Sequence, residues 1–308
     1  MGTAELASPS LKALCQQPDW QVVSVVTQPD RPKGRNLQLQ FSHVKQTAAE
    51  ANLPVLQPEK ARDPAFVAQL QALQPDLIVV AAYGQILPKS ILDLPRFGCL
   101  NVHTSLLPKF RGAAPIQWAI LEDEPVTGVT IMKMDPGLDT GDILTQAETT
   151  IQAEDNSQTL HDRLAQIGAD LLIKTIPDYV SGKIVARPQP PQGFSYARKI
   201  SKEDGRLNWT QPARVLWNRV RAFTPWPGAF TFSRGKEKPL MLKVWDAQIE
   251  EGSSAVAGSI LRADKTGIVV ACGQGALRIQ QLQKEGGRRL SAQEFLAGHP
   301  LQPGEVLG

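Results

Sequence analysis

The chain of 308 residues has few of the residues that stabilise secreted or metal-dependent proteins. Its three cysteines, Cys15, Cys99 and Cys272, are odd in number and far apart, and its four histidines are isolated from one another. This pattern disfavours a disulfide framework and offers no metal-ligand spacing, so we predict no metal site. No run is apolar enough to span a membrane, and no basic segment followed by an apolar core opens the sequence. We therefore expect a cytoplasmic protein with no membrane interaction.

A large excess of charge of one sign is also absent, because the net charge is only +3. The balance is nevertheless uneven: residues 1–200 contain 18 Lys and Arg against 20 Asp and Glu, whereas residues 201–308 contain 15 against 10. A basic C-terminal third indicates a polyanionic partner. An ordinary solvated surface explains the same charge equally well.

The N-terminal two thirds of the chain alternate apolar runs with helical patterns. Three apolar runs, at residues 20–26, 76–82 and 99–102, predict strands that are buried on both faces. Residues 41–51 and 63–73, which lie between them, have the apolar spacing of helices. This order predicts an α/β fold with a parallel sheet, in which ligands bind at the carboxyl ends of the strands.

The character of the sequence changes at a proline-rich run, PQPPQG, which reads as an extended linker. A helix is predicted after it, near residues 212–222. Short strands separated by glycines are then predicted at residues 229–232, 240–247, 258–261, 267–271 and 276–282. Five short strands are typical of a small barrel. We therefore divide the chain into a first domain at residues 1–187, a linker at 188–200 and a second domain at 201–308.

The segment CLNVHTSLLPKFRG, at residues 99–112, carries the chemistry that the sequence shows best. Alternation along a strand puts Asn101 and His103 on the same face, so an amide and an imidazole can reach one small polar group. The segment MDPGLDTGDI adds three carboxylates, Asp135, Asp139 and Asp142, in a loop bracketed by glycines. An amide, an imidazole and a carboxylate that meet can stabilise an oxyanion and transfer a proton.

The first residues of the chain are unusual for such a fold. Gly2-Thr3 forms the kind of turn that follows a strand, and a helix is predicted directly after it, yet the sequence holds no residues that could form that strand. We expect a sheet from which the first strand is missing. A truncated start explains this better than a ragged N-terminus does.

Several motifs together resemble one family. They are GTAELASPSL, VVTQPDRPKGR, VVAAYGQILP, GCLNVHTSLLPKFRGAAPIQWAI, TGVTIMKMDPGLDTGDIL and RAFTPWPGAF. SLLPKFRG and LDTG are similar to the formyltransferases that use 10-formyltetrahydrofolate, and TQPDRPKGR and RGAAPIQ are similar more narrowly to the methionyl-tRNA formyltransferase family. The resemblance implies an enzyme with a Rossmann-like first domain, whose central strand precedes the Gly-Thr turn, and an OB-like second domain.

The resemblance also implies roles for individual residues. Asn101, His103 and Asp139 match the catalytic residues of the family, and LDTG is what selects Asp139 among the three carboxylates. The turn Ser105, Leu106, Leu107 and Pro108 matches the folate-binding turn. The residues Tyr83, Gly84, Ile86 and Leu87 are expected to form another wall of the folate site. Core packing is the alternative interpretation of the two leucines in the turn.

The partners implied by the resemblance are 10-formyltetrahydrofolate and initiator methionyl-tRNA, whose amino group would receive the formyl group for translation initiation. The residues expected to bind tRNA are Arg31, Lys33, Arg35, Arg288 and Arg289. A monomer is expected. Two alternatives stay open: a formyltransferase acting on another amine such as that of a nucleotide sugar, and a catalytically impaired RNA-binding protein if the first strand is truly missing.

Overall fold

The computed structural model describes residues 1–33, 38–233, 239–252 and 255–308. The chain divides into two compact units, each described below by itself. Unit 1 consists of Met1–Pro115, Val126–Thr150 and His161–Ala197. Unit 2 consists of Ile116–Pro125, Ile151–Leu160 and Arg198–Gly308.

The regular elements are numbered in chain order. The helices are α1 (Ser8–Cys15), α2 (His43–Glu50), α3 (Pro64–Ala72), α4 (Lys89–Leu92), α5 (Pro115–Leu121), α6 (Ser157–Val180), α7 (Ala213–Ala222) and α8 (Ala292–Gly298). The strands are β1 (Val25–Val26), β2 (Arg31–Lys33), β3 (Gln38–Gln40), β4 (Val55–Leu56), β5 (Ile78–Val80), β6 (Cys99–His103), β7 (Arg111–Gly112), β8 (Val126–Lys133), β9 (Asp142–Thr150), β10 (Tyr196–Ala197), β11 (Ala229–Ser233), β12 (Leu240–Glu250), β13 (Ile260–Asp264), β14 (Gly267–Ala271), β15 (Ala276–Lys284) and β16 (Leu290–Ser291).

Two helices of unit 1, α2 and α3, begin where the sequence supplies a side-chain cap. Ser42 precedes α2 and accepts a hydrogen bond from the Lys45 amide at 3.0 Å. Asp63 precedes α3 and accepts one from the Ala65 amide at 3.0 Å, with Pro64 in the first turn. A side-chain oxygen before a helix satisfies an amide that has no partner within the helix, which fixes the start of the helix.

The main sheet of unit 1 has the strand order β5-β6-β8-β9. Strands β5 and β6 are parallel, with Val80 opposite Asn101, as the buried apolar runs predict. Strands β8 and β9 add an antiparallel pair that the sequence analysis does not predict, and β8 pairs with β6 so that Thr130 lies opposite His103. The parallel α/β prediction is confirmed, and β6 is the strand that carries the two predicted polar residues.

A second, two-stranded sheet in unit 1 pairs β1 with β4 in parallel. The prediction of a strand over residues 20–26 is wrong in length, since only Val25 and Val26 are paired. A strand requires a neighbour to bond with, and residues 20–24 line a cavity of about 810 Å³ instead.

Residues 1 and 2 join the β1-β4 sheet to the main sheet of unit 1. The Gly2 amide donates to the Val26 carbonyl at 2.9 Å, and the Ala81 amide donates to the Met1 carbonyl at 3.0 Å. A Cβ at Gly2 would lie 2.7 Å from the Ala7 Cβ and 2.9 Å from the Ala81 carbonyl, so only glycine fits between the strands. Within the part of the chain that the structure describes, this single parallel bridge occupies the place of the expected first strand.

Unit 2 contains one antiparallel sheet with the order β11-β12-β15-β14-β13, to which β16 adds at β15. The five predicted strands of this region are confirmed, with bounds that differ by a few residues. Helix α7 and helix α8 pack on the same buried cluster as the sheet. The largest fully buried side chains of this cluster are Leu207, Leu216 and Phe295. The resulting domain has the antiparallel, barrel-like character that the second half of the sequence predicts.

Candidate active site

The C-terminal end of β6 places Asn101 and His103 beside the same carboxylate. The Asn101 side-chain nitrogen Nδ2 lies 3.4 Å from Asp139 Oδ1, and His103 Nδ1 lies 3.8 Å from Asp139 Oδ2. The other ring nitrogen of His103, Nε2, lies 3.0 Å from the Phe110 carbonyl oxygen. The three residues that the sequence analysis predicts as catalytic therefore meet, because alternation along β6 gives two of them a common face.

Asp139 lies in the loop between β8 and β9 with a φ of 52°, a left-handed conformation that costs energy for a residue other than glycine. Its side chain is 15% exposed, and its Oδ2 accepts a hydrogen bond from the Gly112 amide at 2.8 Å. Its carboxylate is thus fixed in a partly buried place where a charge interacts strongly with its neighbours.

The other two carboxylates of this segment, Asp135 and Asp142, have structural contacts instead. Asp135 accepts hydrogen bonds from the Gly137 amide at 3.1 Å and from the Thr140 hydroxyl at 2.8 Å, so it holds the loop in shape. Asp142 is the first residue of β9 and pairs with Lys133 in the ladder. Of the three carboxylates, Asp139 is the one that lies beside Asn101 and His103.

The turn from Ser105 to Pro108 follows β6 directly. The Thr130 hydroxyl donates to the Ser105 carbonyl at 2.7 Å and accepts from the Leu107 amide at 3.1 Å. The Ser105 hydroxyl donates to the Lys109 carbonyl at 2.6 Å. Leu107 is buried with Met132 and Ile143, whereas Leu106 and Pro108 stay partly exposed. Core packing therefore describes Leu107, and Leu106 and Pro108 are the members of the turn that a ligand can touch.

The residues predicted to form the other wall of the folate site also divide into buried and exposed ones. Tyr83 and Leu87 are buried in the core of unit 1, and Ile86 is 84% exposed. Burial raises the pKa of the Tyr83 phenol to about 12. The Tyr83 carbonyl accepts hydrogen bonds from Thr3 Oγ1 and from Gln28 Nε2, each at 2.9 Å, which holds the turn at Gly84 in place.

Two of the predicted tRNA-binding residues of unit 1, Arg31 and Lys33, lie in β2, which pairs with β3. Arg31 is exposed and lies 3.7 Å from Glu59. Lys33 ends β2, and Arg35 lies outside the described residues. Asp30 pairs with Lys45, which lowers the pKa of the Asp30 carboxyl.

The predicted tRNA-binding residues of unit 2, Arg288 and Arg289, are both exposed and follow β15. The Arg289 guanidinium lies 4.1 Å from the centre of the Trp245 ring, and the Lys243 ammonium lies 5.6 Å from the same centre. A cation over an indole face is held by the charge distribution of the ring. This part of unit 2 therefore presents a cationic surface next to an aromatic face.

No sequence motif predicts a role for Gln189, which lies in the proline-rich run. Its Nε2 donates to the carbonyls of Asp139 and Gly141, each at 2.8 Å. Its Oε1 accepts from Arg111 Nε at 3.0 Å and Nη2 at 2.7 Å. A glutamine between prolines has no local signal of this kind, and only the fold brings it to the site.

Among the described residues, no group of three or more His, Cys, Asp and Glu side chains is arranged to hold a metal ion. Nor is any described helix both long enough and apolar enough to cross a membrane.

Two family models match the chain. Residues 1–176 match the model described as formyl transferase, and residues 199–300 match the model described as formyl transferase, C-terminal domain. A protein of Citrifermentans bemidjiense, "Methionyl-tRNA formyltransferase", is 50% identical over 308 residues, which cover 100% of this chain and 95% of that protein. A protein of the same name from Myxococcus xanthus is 49% identical over 304 residues, which cover 99% of this chain and 95% of that protein.

Solved structures share the fold at lower identity. The N-formyltransferase from Helicobacter canadensis in complex with folinic acid and dTDP-3-aminofucose has a TM-score of 0.65 at 17% identity, over 94% of this chain and 97% of that chain. HypX from Aquifex aeolicus in complex with tetrahydrofolic acid has a TM-score of 0.58 at 18% identity. The match covers 84% of this chain and 47% of HypX, so this chain aligns with about half of that protein. The matches of both domains and the full-length relatives show that this chain belongs to the formyl transferase family.

Proposed function

We propose that the protein transfers the formyl group of 10-formyltetrahydrofolate to the amino group of methionine on initiator methionyl-tRNA. The observation that carries the proposal is the meeting of Asn101, His103 and Asp139 in a chain that is 50% identical over its whole length to a protein named methionyl-tRNA formyltransferase. An amide, an imidazole and a carboxylate can stabilise the oxyanion and move the proton that such a transfer involves.

The chemistry of each residue follows from its position. When bound, the folate supplies a formyl carbon that is open to attack by an amine. Asn101 can donate its second amide hydrogen to the carbonyl oxygen as negative charge develops there. Asp139 Oδ1 can accept the proton that the attacking amine loses, and His103 Nδ1, at 3.8 Å from Oδ2, can exchange a proton with this carboxylate. The pair can then return a proton to the folate nitrogen as the bond between that nitrogen and the formyl carbon breaks.

His103 is oriented for this task by its second ring nitrogen. Nε2 lies 3.0 Å from the Phe110 carbonyl, an acceptor, so this nitrogen carries hydrogen. Nδ1 is then the nitrogen that gains and loses a proton, and it faces Asp139. A protonated His103 beside a carboxylate forms a charge-assisted pair that helps to stabilise a nearby oxyanion.

A folate fits the residues at the end of β6. A flat ring system needs apolar contact with a few polar groups at its edge. Leu106 and Pro108 are partly exposed beside the catalytic strand, and Ile86 offers an exposed apolar side chain on the turn after β5. We infer that residues 105–108 and the turn at Tyr83–Gly84 hold the folate, with Tyr83 and Leu87 supporting that turn from the core.

The proposed tRNA contacts divide between the units. Arg31, Lys33 and Arg35 belong to the segment TQPDRPKGR, and Arg288 and Arg289 belong to the basic C-terminal third of the chain. Guanidinium groups bind phosphates and base edges, and their contribution weakens as salt concentration rises. We infer a catalytic domain at residues 1–187 and a tRNA-binding domain at 201–308, acting in the cytoplasm as a monomer.

Transfer to a nucleotide-sugar amine is the second candidate. Its support is the fold of the Helicobacter canadensis N-formyltransferase, at 17% identity. The relatives named for methionyl-tRNA are far more similar, at 50% and 49% identity, and they extend over both domains.

The test is transfer of radiolabelled formyl from 10-formyltetrahydrofolate to three acceptors: initiator methionyl-tRNA, an elongator methionyl-tRNA and a nucleotide-linked amino sugar. We expect labelled initiator tRNA, with a KM that rises steeply with salt. Transfer of label to the amino sugar alone would establish that the protein formylates a nucleotide-sugar amine. Binding of tRNA without any transfer would establish the impaired RNA-binding protein.

A further inference from the structure

Gln189 lies beside the site, but it belongs to none of the family motifs and has no role in the proposed transfer. Its four hydrogen bonds lie within unit 1: two are donated to the Asp139 loop and two are accepted from Arg111. A side-chain amide offers two donors and one acceptor oxygen with two lone pairs. Gln189 therefore uses its full capacity on protein groups at the edge of the catalytic loop.

The loop needs such support. Asp139 has a φ of 52°, and the hydrogen bond from Gly112 holds only its carboxylate. A residue in this conformation persists when its surroundings specify it. By binding the carbonyls of Asp139 and Gly141 with one nitrogen, Gln189 fixes the Asp139–Thr140 and Gly141–Asp142 peptide groups.

Gln189 is itself held from the opposite side. Arg111 donates to Oε1 with two nitrogens, and its guanidinium also lies 5.3 Å from the centre of the Phe194 ring. Strand β7, which begins at Arg111, pairs in parallel with β10, and Gly112 within it bonds the Asp139 carboxylate. The side chain of Asp139 is therefore bound directly to β7 by the Gly112 amide, and its backbone is bound to the same strand through Gln189 and Arg111.

We propose that Gln189 is a positioning residue, which sets the Asp139 carboxylate against His103 and Asn101 by bridging the Asp139 loop to Arg111. This inference rests on the proposed function. Gln189 contacts no reacting atom, and it acts through Asp139 alone. A displacement of about 1 Å in a catalytic group is enough to reduce a rate about 100-fold.

The test compares Gln189→Leu, Gln189→Glu and the matched control Gln192→Leu, which changes an exposed glutamine in the same run. Leucine removes every hydrogen bond, whereas glutamate keeps the acceptor for Arg111 and loses both donors to the loop. We expect kcat to fall between about 10- and 100-fold in both Gln189 variants, with KM for folate and tRNA changed less than about threefold. Gln192→Leu is expected to retain the wild-type kcat.

A double-mutant cycle separates positioning from general stability. In an Asp139→Asn background, Gln189→Leu should reduce kcat by less than about threefold more, because two residues that act as one unit are not additive. Amide hydrogen exchange at residues 139–142 should be faster in Gln189→Leu, while the rest of unit 1 exchanges as in the wild type.

The outcomes distinguish the inference from the function on which it rests. Active wild-type enzyme with full kcat in Gln189→Leu, or a loss that is fully additive with Asp139→Asn, would overturn the positioning role. Absence of transfer by the wild type would instead contradict the proposed function. In that case the exchange measurement still tests whether Gln189 holds the loop.

Discussion

In unit 2, one antiparallel sheet of six strands packs against two helices around a continuous buried cluster. In unit 1, the described strands instead fall into a four-stranded sheet and several two-stranded sheets, and a cavity of about 810 Å³ lies where residues 1 and 2 join two of them. Regular pairing supplies most of the order in unit 2. Unit 1 depends more on single bridges and on side chains that bind the backbone.

The candidate active site lies in the less regular unit. His103 ends a strand, Asp139 lies in a loop, and Gly112 belongs to a strand of two residues. Groups at such places can face a ligand, but they need contacts beyond the strand ladders to stay in position. The Phe110 carbonyl holds the His103 ring, and hydrogen bonds from the Gly112 amide and from Gln189 hold Asp139.

The largest expected effect comes from the carboxylate that these contacts hold. Asp139→Asn removes the charge beside His103 and the acceptor for the amine proton, so kcat should fall about 10²- to 10³-fold with little change in thermal stability. Steady-state transfer kinetics and a melting curve measure both quantities. The control is Asp142→Asn, which alters a carboxylate at the start of β9 and should change kcat less than about threefold. Equal losses in the two variants would contradict the assignment of Asp139.

The next effect compares the packing of the units directly. Ile268 on β14 is 1% exposed in the core of unit 2, whereas Ile78 on β5 is 7% exposed and lines the cavity of unit 1. Truncation to alanine costs both transfer energy and lost contacts, and a side chain beside a cavity has fewer contacts to lose. We expect Ile268→Ala to cost about 4 kcal/mol and Ile78→Ala about 2 kcal/mol. Urea unfolding, assigned to each unit by hydrogen exchange, measures these values. A larger loss of unfolding free energy in Ile78→Ala than in Ile268→Ala would contradict the view that unit 1 is less tightly packed at this position.

The smallest effect concerns acid stability in unit 2. Hydrogen bonds from Arg198 and Ser201 hold the pKa of the Asp204 carboxyl well below its usual range. The stabilisation is therefore complete above the unfolded pKa of about 3.9 and is lost as pH falls below it. Relative to the wild type, Asp204→Asn should be destabilised at about pH 6 and less so at about pH 3.

Asp246 in the same unit provides a control of opposite sign. Burial raises the pKa of its carboxyl, so its charged form costs stability, and this cost grows as pH rises through the unfolded and folded pKa values. Asp246→Asn should gain stability relative to the wild type between about pH 3 and about pH 6. The midpoint of urea unfolding at the two pH values is the measurement. Parallel pH dependence in the two variants would contradict both assignments.

The sequence predicts much of unit 2, because its strands are complete, alternate with glycine turns and find partners nearby in the chain. Unit 1 is predicted less fully. The apolar run at residues 20–26 has the composition of a strand, but only Val25 and Val26 have a neighbouring strand to pair with. The antiparallel pair β8 and β9 is missed because its place beside β6 is a matter of long-range topology.

In the candidate active site too, local features can be predicted from the sequence and long-range contacts cannot. The spacing of Asn101 and His103 is a property of one strand, so alternation alone predicts that they share a face. Asp139 was selected by its motif, and the structure brings it to them across 36 residues of chain from His103. Gln189 carries no local signal, since its role depends on Arg111 and on the Asp139 loop, both of which are distant in sequence.

The most direct test of the proposed mechanism is the single-turnover rate of formyl transfer to initiator methionyl-tRNA by His103→Ala, measured with saturating folate and tRNA. The proposed mechanism predicts a rate about 10²- to 10³-fold below that of the wild type, with both substrates still bound, because the proton-exchanging partner of Asp139 is lost. An unreduced rate would contradict the assignment of His103 and, with it, the proposed mechanism.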